Sequence, residues 1–324
     1  MQTFKISSGV LEAEIATYGA TLKKLVFEGV SLVAGYATRR EYEEGDNYFG
    51  ATVGRTCNRT GKINHIDGRE YILELNERGV NHLHGGFGGL SRAEWRAANV
   101  TGNSVRLKCL SPDGADGYPG NLEVTAEYIL EGGSLTVRHR AKTDKPTWVS
   151  LTNHSYFNLN GIGSGSVFGT RVRINAREVS TYDENARVTG REEVEKAFGF
   201  DTAKEFTLER GFDHNFYLNG ENAADGSGLA FAASARGEKA RMEVFTDLPC
   251  LQFYTGGFIK DGTRLQDGAV INESGAFCFE TQFEPGSPSR GEAVLRPGET
   301  YGHVTVYKFS KPEKKCCNGA GFVI

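Results

Sequence analysis

Apolar and charged side chains alternate with period two along much of this chain, and that pattern limits the possible folds more than any other feature. Leu11, Ala13 and Ile15 alternate with Glu12 and Glu14, and Val105, Leu107 and Cys109 alternate with Arg106 and Lys108. Successive side chains on a strand point to opposite faces, so the pattern predicts sheets with one face buried and one in water. The clearest unit runs from 122 to 142. Leu122, Val124, Ala126, Tyr128 and Leu130 lead into Glu131, Gly132 and Gly133, and Leu135, Val137, His139 and Ala141 return with the same period, as a hairpin requires. A last strand is expected over 303–309. Only 184–198 (ENARVTGREEVEKAF) has the charge density and spacing of a helix.

Glycine supplies the punctuation that many strand reversals need. There are 42 Gly and 8 Pro among 324 residues, and about 13% glycine is roughly twice ordinary usage. With 39% hydrophobic and 11% aromatic residues the chain is neither disordered nor collagen-like. The excess therefore reads as turns. Glycines beside the candidate site (Gly85, Gly86, Gly88 and Gly89; Gly161, Gly163 and Gly165; Gly256 and Gly257) are expected to hold a cleft open by lacking side chains. Many antiparallel strands without a βαβ pattern predict an all-β fold, a large antiparallel β-sandwich. It is expected as one domain over 1–310, with a mobile tail over 311–324 that carries Cys316 and Cys317.

Charge excludes several classes of partner. The 37 basic and 41 acidic residues leave −4, with no broad electrostatic footprint for nucleic acid or an anionic membrane. No apolar run approaches a membrane span, and six cysteines without metal spacing read as reduced thiols, so a cytoplasmic location is expected. Phosphate-binding glycine loops and the Gly-x-Ser-x-Gly elbow are missing from the sequence, and no cofactor is expected.

A few polar residues stand where a plain strand would not place them. His82 and His84, two apart in an extended segment, are expected to turn both rings to one face. A metal there would need a third ligand, but the next acid, Glu94, stands ten residues past His84, so no metal is expected. His154 lies in a polar, aromatic stretch, and Asp213 precedes His214. Glu280 ends an apolar run, where burial would raise its carboxyl pKa and make it a proton acceptor. The alternative is a buried Glu280 paired with an arginine such as Arg59. With Arg59, Gln252, Trp148, Tyr156 and Tyr254, the set combines polar groups for hydroxyls and aromatic faces for C–H surfaces, as a neutral sugar requires.

These residues lie in motifs that resemble the aldose 1-epimerases, or galactose mutarotases, from about Gly9 to Phe309. The motifs are GRTCNRTG over 54–61, NHLHGG over 81–86, SPDGADGYPG over 111–120, TNHSYFN over 152–158, FDHN over 212–215, QFYTG over 252–256 and ETQ over 280–282. The resemblance implies a β-supersandwich and interconversion of the α and β anomers of free hexoses without cofactor or metal. It implies Glu280 as general base and His154 as general acid, with Arg59, His84, Asp213 and Gln252 binding substrate. Asp213 or another nearby carboxylate is expected to keep His154 protonated. The expected partner is a small aldose, the expected assembly a monomer or weak homodimer. A sugar-phosphate mutarotase or a non-catalytic sugar-binding protein on the same fold are the alternatives. The former should show an extra basic cluster, for which only Arg59 and Arg55 are candidates. One segment departs from the family: Gly286 and Ser289 replace an Asp and an Asn after the ETQ motif, which is expected to alter the rim of the site.

Overall fold

The alternating segments form antiparallel ladders in the computed structural model, which describes residues 1–220 and 227–313. The predicted hairpin pairs Leu122–Glu131 with Ser134–Thr143, from Leu122↔Thr143 to Glu131↔Ser134. It sits within a nine-stranded sheet. On one side it is followed by Ser104–Ser111 and Arg96–Val100, on the other by Tyr301–Ser310, Arg241–Thr246 and Ala230–Arg236, ending in Arg171–Ile174 and Phe206–Thr207. A six-stranded sheet runs in the order Tyr156–Phe157, Phe277–Gln282, Cys250–Tyr254, Asp213–Leu218, Ala176–Tyr182 and Val188–Glu193. Four N-terminal strands between Thr3 and Ser31 make a third sheet.

The two large sheets stack through their apolar faces. The Phe157 and Tyr307 rings lie 5.3 Å apart, and the Tyr307 hydroxyl donates to the Phe279 carbonyl at 3.1 Å. Leu107, Val124 and Val244 from one sheet share a continuous buried cluster with Phe216, Leu251, Phe253, Phe277 and Phe279 from the other. Alternation then decides what the second face of the six-stranded sheet carries. In Phe277–Gln282, Phe277 and Phe279 enter this core, while Cys278, Glu280 and Gln282 face the other way, although every residue of the strand is buried. Buried polar groups need partners, and those of this strand lie on neighbouring strands and loops. Among the described residues no helix is long and apolar enough to cross a membrane.

Three local expectations change. The 184–198 segment is helical only over Val194–Phe198, because Val188–Glu193 pairs with Ala176–Tyr182 as a strand. Sheet pairing outweighs the charge spacing, helped by Thr189 and Gly190, which are poor helix formers. A short helix at Arg39–Glu44 begins with a capping box, Thr38 with Glu41, whose T-x-x-E signature stands in the sequence. The glycines near the site do not open it. A Cβ on Gly85 would meet the Gly54 carbonyl oxygen at 1.8 Å, and one on Gly256 the Ala276 oxygen at 2.5 Å. None of the nine lines the cleft described below, so Gly85 and Gly256 are positions where backbone approaches backbone. Beyond Glu313 the expected tail, with Cys316 and Cys317, lies outside the described residues.

Candidate active site

Strand register brings the chemistry together. Cross-strand partners share a face of a sheet, and two rows of partners cross the polar face of the six-stranded sheet. One row is Asp213↔Tyr254, Tyr254↔Cys278 and Cys278↔Tyr156; the next is Asn215↔Gln252 and Gln252↔Glu280. His154, two residues before Tyr156, falls in line with Glu280. Its Nε2 lies 3.6 Å from Glu280 Oε2. Four sequence segments that are far apart in the chain thus form one patch.

The imidazole of His154 is held on every side. It stacks between Tyr156, at 5.0 Å, and Tyr48, at 5.8 Å, and its Nδ1 meets the Cys278 sulfur at 3.6 Å. Burial disfavours its charged form and lowers its pKa to about 4. Glu280 is pushed well above the usual carboxylate range by burial and by the Asp213 carboxylate. Asp213 therefore acts on Glu280, and the carboxylate facing His154 is Glu280 itself.

Of the proposed binding residues, Arg59, His84 and Asp213 line the cleft around this pair, whereas Gln252 does not line it and touches it through Asp213. Asp213 accepts a hydrogen bond from Gln252 Nε2 at 2.7 Å, while Gln252 Oε1 is buried without a partner among the described residues. His84 accepts from the Asn58 backbone N–H through Nδ1 at 3.1 Å, which assigns the ring proton to Nε2. Burial holds its pKa well below the ordinary histidine value, with His154 and Arg59 adding to the effect. The cleft is lined by Asn58, Arg59, His84, His154, Asp213 and Glu280, with Tyr48, Tyr156, Tyr254, Glu77 and Phe258 at its walls. Its volume of about 210 Å³ is below the roughly 300 to 1,000 Å³ of pockets for drug-sized ligands, the scale of a small ligand. A larger depression on the nine-stranded sheet, lined by Arg96, Lys108, Glu123 and Arg140, brings no histidine to a carboxylate.

Sequence reasoning missed Tyr48, Glu77 and Phe258. Tyr48, Asn58 and His84 adopt left-handed backbone, with φ of 55°, 61° and 54°. Such strain in non-glycine residues persists only where surroundings enforce it, and no periodicity marks it beforehand. The kink at His84 also breaks the expected facing of His82 and His84. His82 instead spends Nδ1 on the Glu74 carbonyl and Nε2 on the Tyr118 hydroxyl, both at 2.7 Å, leaving no nitrogen for a metal. The described residues that could gather around an ion are His154, Cys278 and Glu280, whose ligand atoms lie within 4.8 Å of one another.

Two further expectations are corrected. Arg55 is not in the cleft: its guanidinium is buried on Ser111, Pro112, Pro119 and Thr147, and burial lowers its pKa to about 10. Arg59 pairs with Glu77 rather than Glu280. The divergent 283–289 segment does not reach the rim either. Ser289 Oγ bonds Thr60 Oγ1 at 2.9 Å and Asn64 Oδ1 at 3.0 Å, so the segment props the strand that carries Arg59.

An imidazole set against a buried carboxylate, in a small cleft walled by aromatics and hydrogen-bonding groups, has the composition of an acid/base site for a small polar molecule. Residues 2–308 match the family described as aldose 1-epimerase. The chain is 37% identical to galactose mutarotase of Homo sapiens, over 96% of this chain and 94% of that protein. It is 33% identical to aldose 1-epimerase of Escherichia coli strain K12, over 85% and 84% respectively. Its fold superposes on an aldose epimerase homologue from C. elegans with a TM-score of 0.87 at 26% identity, covering 96% of this chain and 99% of that one. The chain belongs to the aldose 1-epimerase family, a family of isomerases.

Proposed function

We propose that this protein interconverts the α and β anomers of free aldohexoses, galactose and glucose among them, with Glu280 as base and His154 as acid. The observation that carries the reading is the 3.6 Å approach of His154 Nε2 to Glu280 Oε2 at the floor of a small cleft. Ring opening needs a base to take the proton of the C1 hydroxyl and an acid to protonate the ring oxygen. The surroundings favour the pair's one proton on Glu280 rather than keeping His154 protonated; in the tautomer that carries it on His154, with Glu280 ionised, both transfers move one proton through the sugar and leave His154 neutral and Glu280 protonated. Rotation about C1–C2 turns the other carbonyl face to the ring oxygen's side, and closure returns the proton. The two ends of the reaction hold the same number of protons, so burial of the pair imposes no net charge change. Asp213 and His84 offer an acceptor and a donor to the remaining hydroxyls, with Gln252 holding the Asp213 carboxylate through Nε2.

Polarimetry tests this directly. Fresh α-galactose and α-glucose should relax to equilibrium faster with the protein than in buffer, and equal rates would overturn the assignment. EDTA should leave that acceleration intact; its loss would move His154, Cys278 and Glu280 into a metal-binding role.

A further inference from the structure

Arg59 reaches the cleft with most of its guanidinium already engaged. Nε lies 2.9 Å from Glu77 Oε2 and Nη2 lies 2.8 Å from Glu77 Oε1, a two-pronged pair in which the side chains are 16% and 17% exposed. Glu77 is itself fixed. Asn81 Nδ2 donates to Glu77 Oε2 at 2.8 Å and to the Asn185 carbonyl at 2.8 Å, while Arg187 Nε donates to Asn81 Oδ1 at 2.7 Å. Backbone bonds between Glu77 and Asn81 close the 77–81 turn in both directions at 3.1 Å. Despite burial, which acts to raise it, Glu77 is held below the usual carboxylate range by the hydrogen bonds from Arg59 and Asn81, with the Arg59 and Arg78 charges adding to them.

This geometry bears on which sugars can enter. The Nε–Nη2 edge of arginine is one that a carboxylate or phosphate can grip with two parallel hydrogen bonds. Here a carboxylate of the protein occupies that edge. Three N–H groups remain, two on Nη1 and one on Nη2, donors that a hydroxyl oxygen can accept without any charge of its own. Asp46 and Asp213 line the same cleft, with Arg78 as the other cation. An oxyanion arriving there meets the Asp46 and Asp213 carboxylates and an Arg59 whose charge Glu77 balances, with Arg78 the remaining cation.

We propose that Glu77 is a positioning and specificity-determining residue: by occupying the Nε–Nη2 edge of Arg59 it aims Nη1 at a sugar hydroxyl and closes the cleft to phosphorylated aldoses. The proposal rests on the anomer-interconversion reading of free aldoses and adds to it the residue that keeps phosphorylated ones out. Glu77 acts through Arg59.

The experiment compares galactose turnover with inhibition by galactose 6-phosphate, both followed by polarimetry, in the wild type, Glu77→Gln and Glu77→Asp. In the wild type the inhibition constant of galactose 6-phosphate should exceed the galactose KM by at least about tenfold. In Glu77→Gln that constant should fall by at least about tenfold and become salt-sensitive, while galactose KM rises more than kcat falls. Glu77→Asp, which keeps the charge, should still exclude the phosphate. A merely structural role would lower activity and thermal stability in both variants without changing the ratio of the two constants. A folded Glu77→Gln with the wild-type ratio overturns the proposal. If Glu77→Gln does not fold, the wild type decides alone: equal affinity for galactose and its 6-phosphate overturns it. A wild type that does not accelerate galactose relaxation overturns the underlying function instead, a separate and distinguishable result.

Discussion

Glu280 and His154 lie 3.6 Å apart in surroundings that remove charge from both. A coupled pair titrates as a unit, so its proton count, rather than either pKa alone, governs activity. One shared proton is the working state. A second proton enters as pH falls through about 4, the value to which burial lowers His154, and then no base remains. Loss of the last proton occurs above the raised Glu280 value and leaves no acid. The kcat/KM profile should therefore fall on the acid side near about 4; an acid-side drop centred at the ordinary histidine value would contradict this. Glu280→Gln and His154→Asn should each lower kcat by at least about 10²-fold while circular dichroism and the thermal transition stay native-like. Unchanged turnover in either would remove that residue from its role. Residue identity made these groups readable beforehand, since a carboxylate in an apolar run and a histidine among polar aromatics are unusual. Glu77 and Tyr48 carry no such mark, because their importance comes from what they touch.

At the scale of elements, strands set the site and loops trim it. Two rows of cross-strand partners place Asp213, Tyr254, Cys278, Gln252 and Glu280 on one face, and this part follows from period two once the pairing is known. The register itself could not be read, because nothing local says that 252 opposes 280. The 188–193 segment carries the charge spacing of a helix yet forms a strand for the same reason, as its partner lies in Ala176–Tyr182. The glycines were misjudged because a missing side chain looks the same whether it leaves space or admits backbone. Substitution separates the two. Gly85→Ala puts a Cβ 1.8 Å from a carbonyl oxygen at φ +91°, whereas at Gly165, with φ +107°, a Cβ meets no atom within 4 Å. Urea denaturation should show a cost above about 3 kcal/mol for Gly85→Ala and roughly 1 to 2 kcal/mol for Gly165→Ala. Similar costs would mean that backbone strain, rather than contact, sets both.

For the whole molecule, stacking two sheets buries histidines that take no part in the chemistry. His139 sits between them with Nε2 3.4 Å from Thr52 Oγ1, and burial lowers its pKa to about 4, with His303 adding to the shift. The unfolded chain protonates this ring near 6.5, so the unfolded state binds the proton first. The stability contributed by its neutral form is complete above about 6.5 and is lost as pH falls toward about 4, on the order of 3 kcal/mol across that window. His139→Gln should flatten the acid side of a stability-against-pH curve relative to the wild type, and parallel curves would show that folding leaves the His139 pKa unchanged. The alternating pattern by itself determined the class of fold, because period two admits only half-buried sheets, and the hairpin over 122–142 needed nothing beyond local turn chemistry. The motif residues likewise marked out most of the chemical groups. Only the tertiary structure decided which of them meet: the facing of His154 and Glu280, the capture of Arg59 by Glu77 and the removal of Arg55 and His82 from the site. Those outcomes depend on register between strands distant in sequence and on backbone kinks enforced by packing, and neither is encoded in any short stretch of residues.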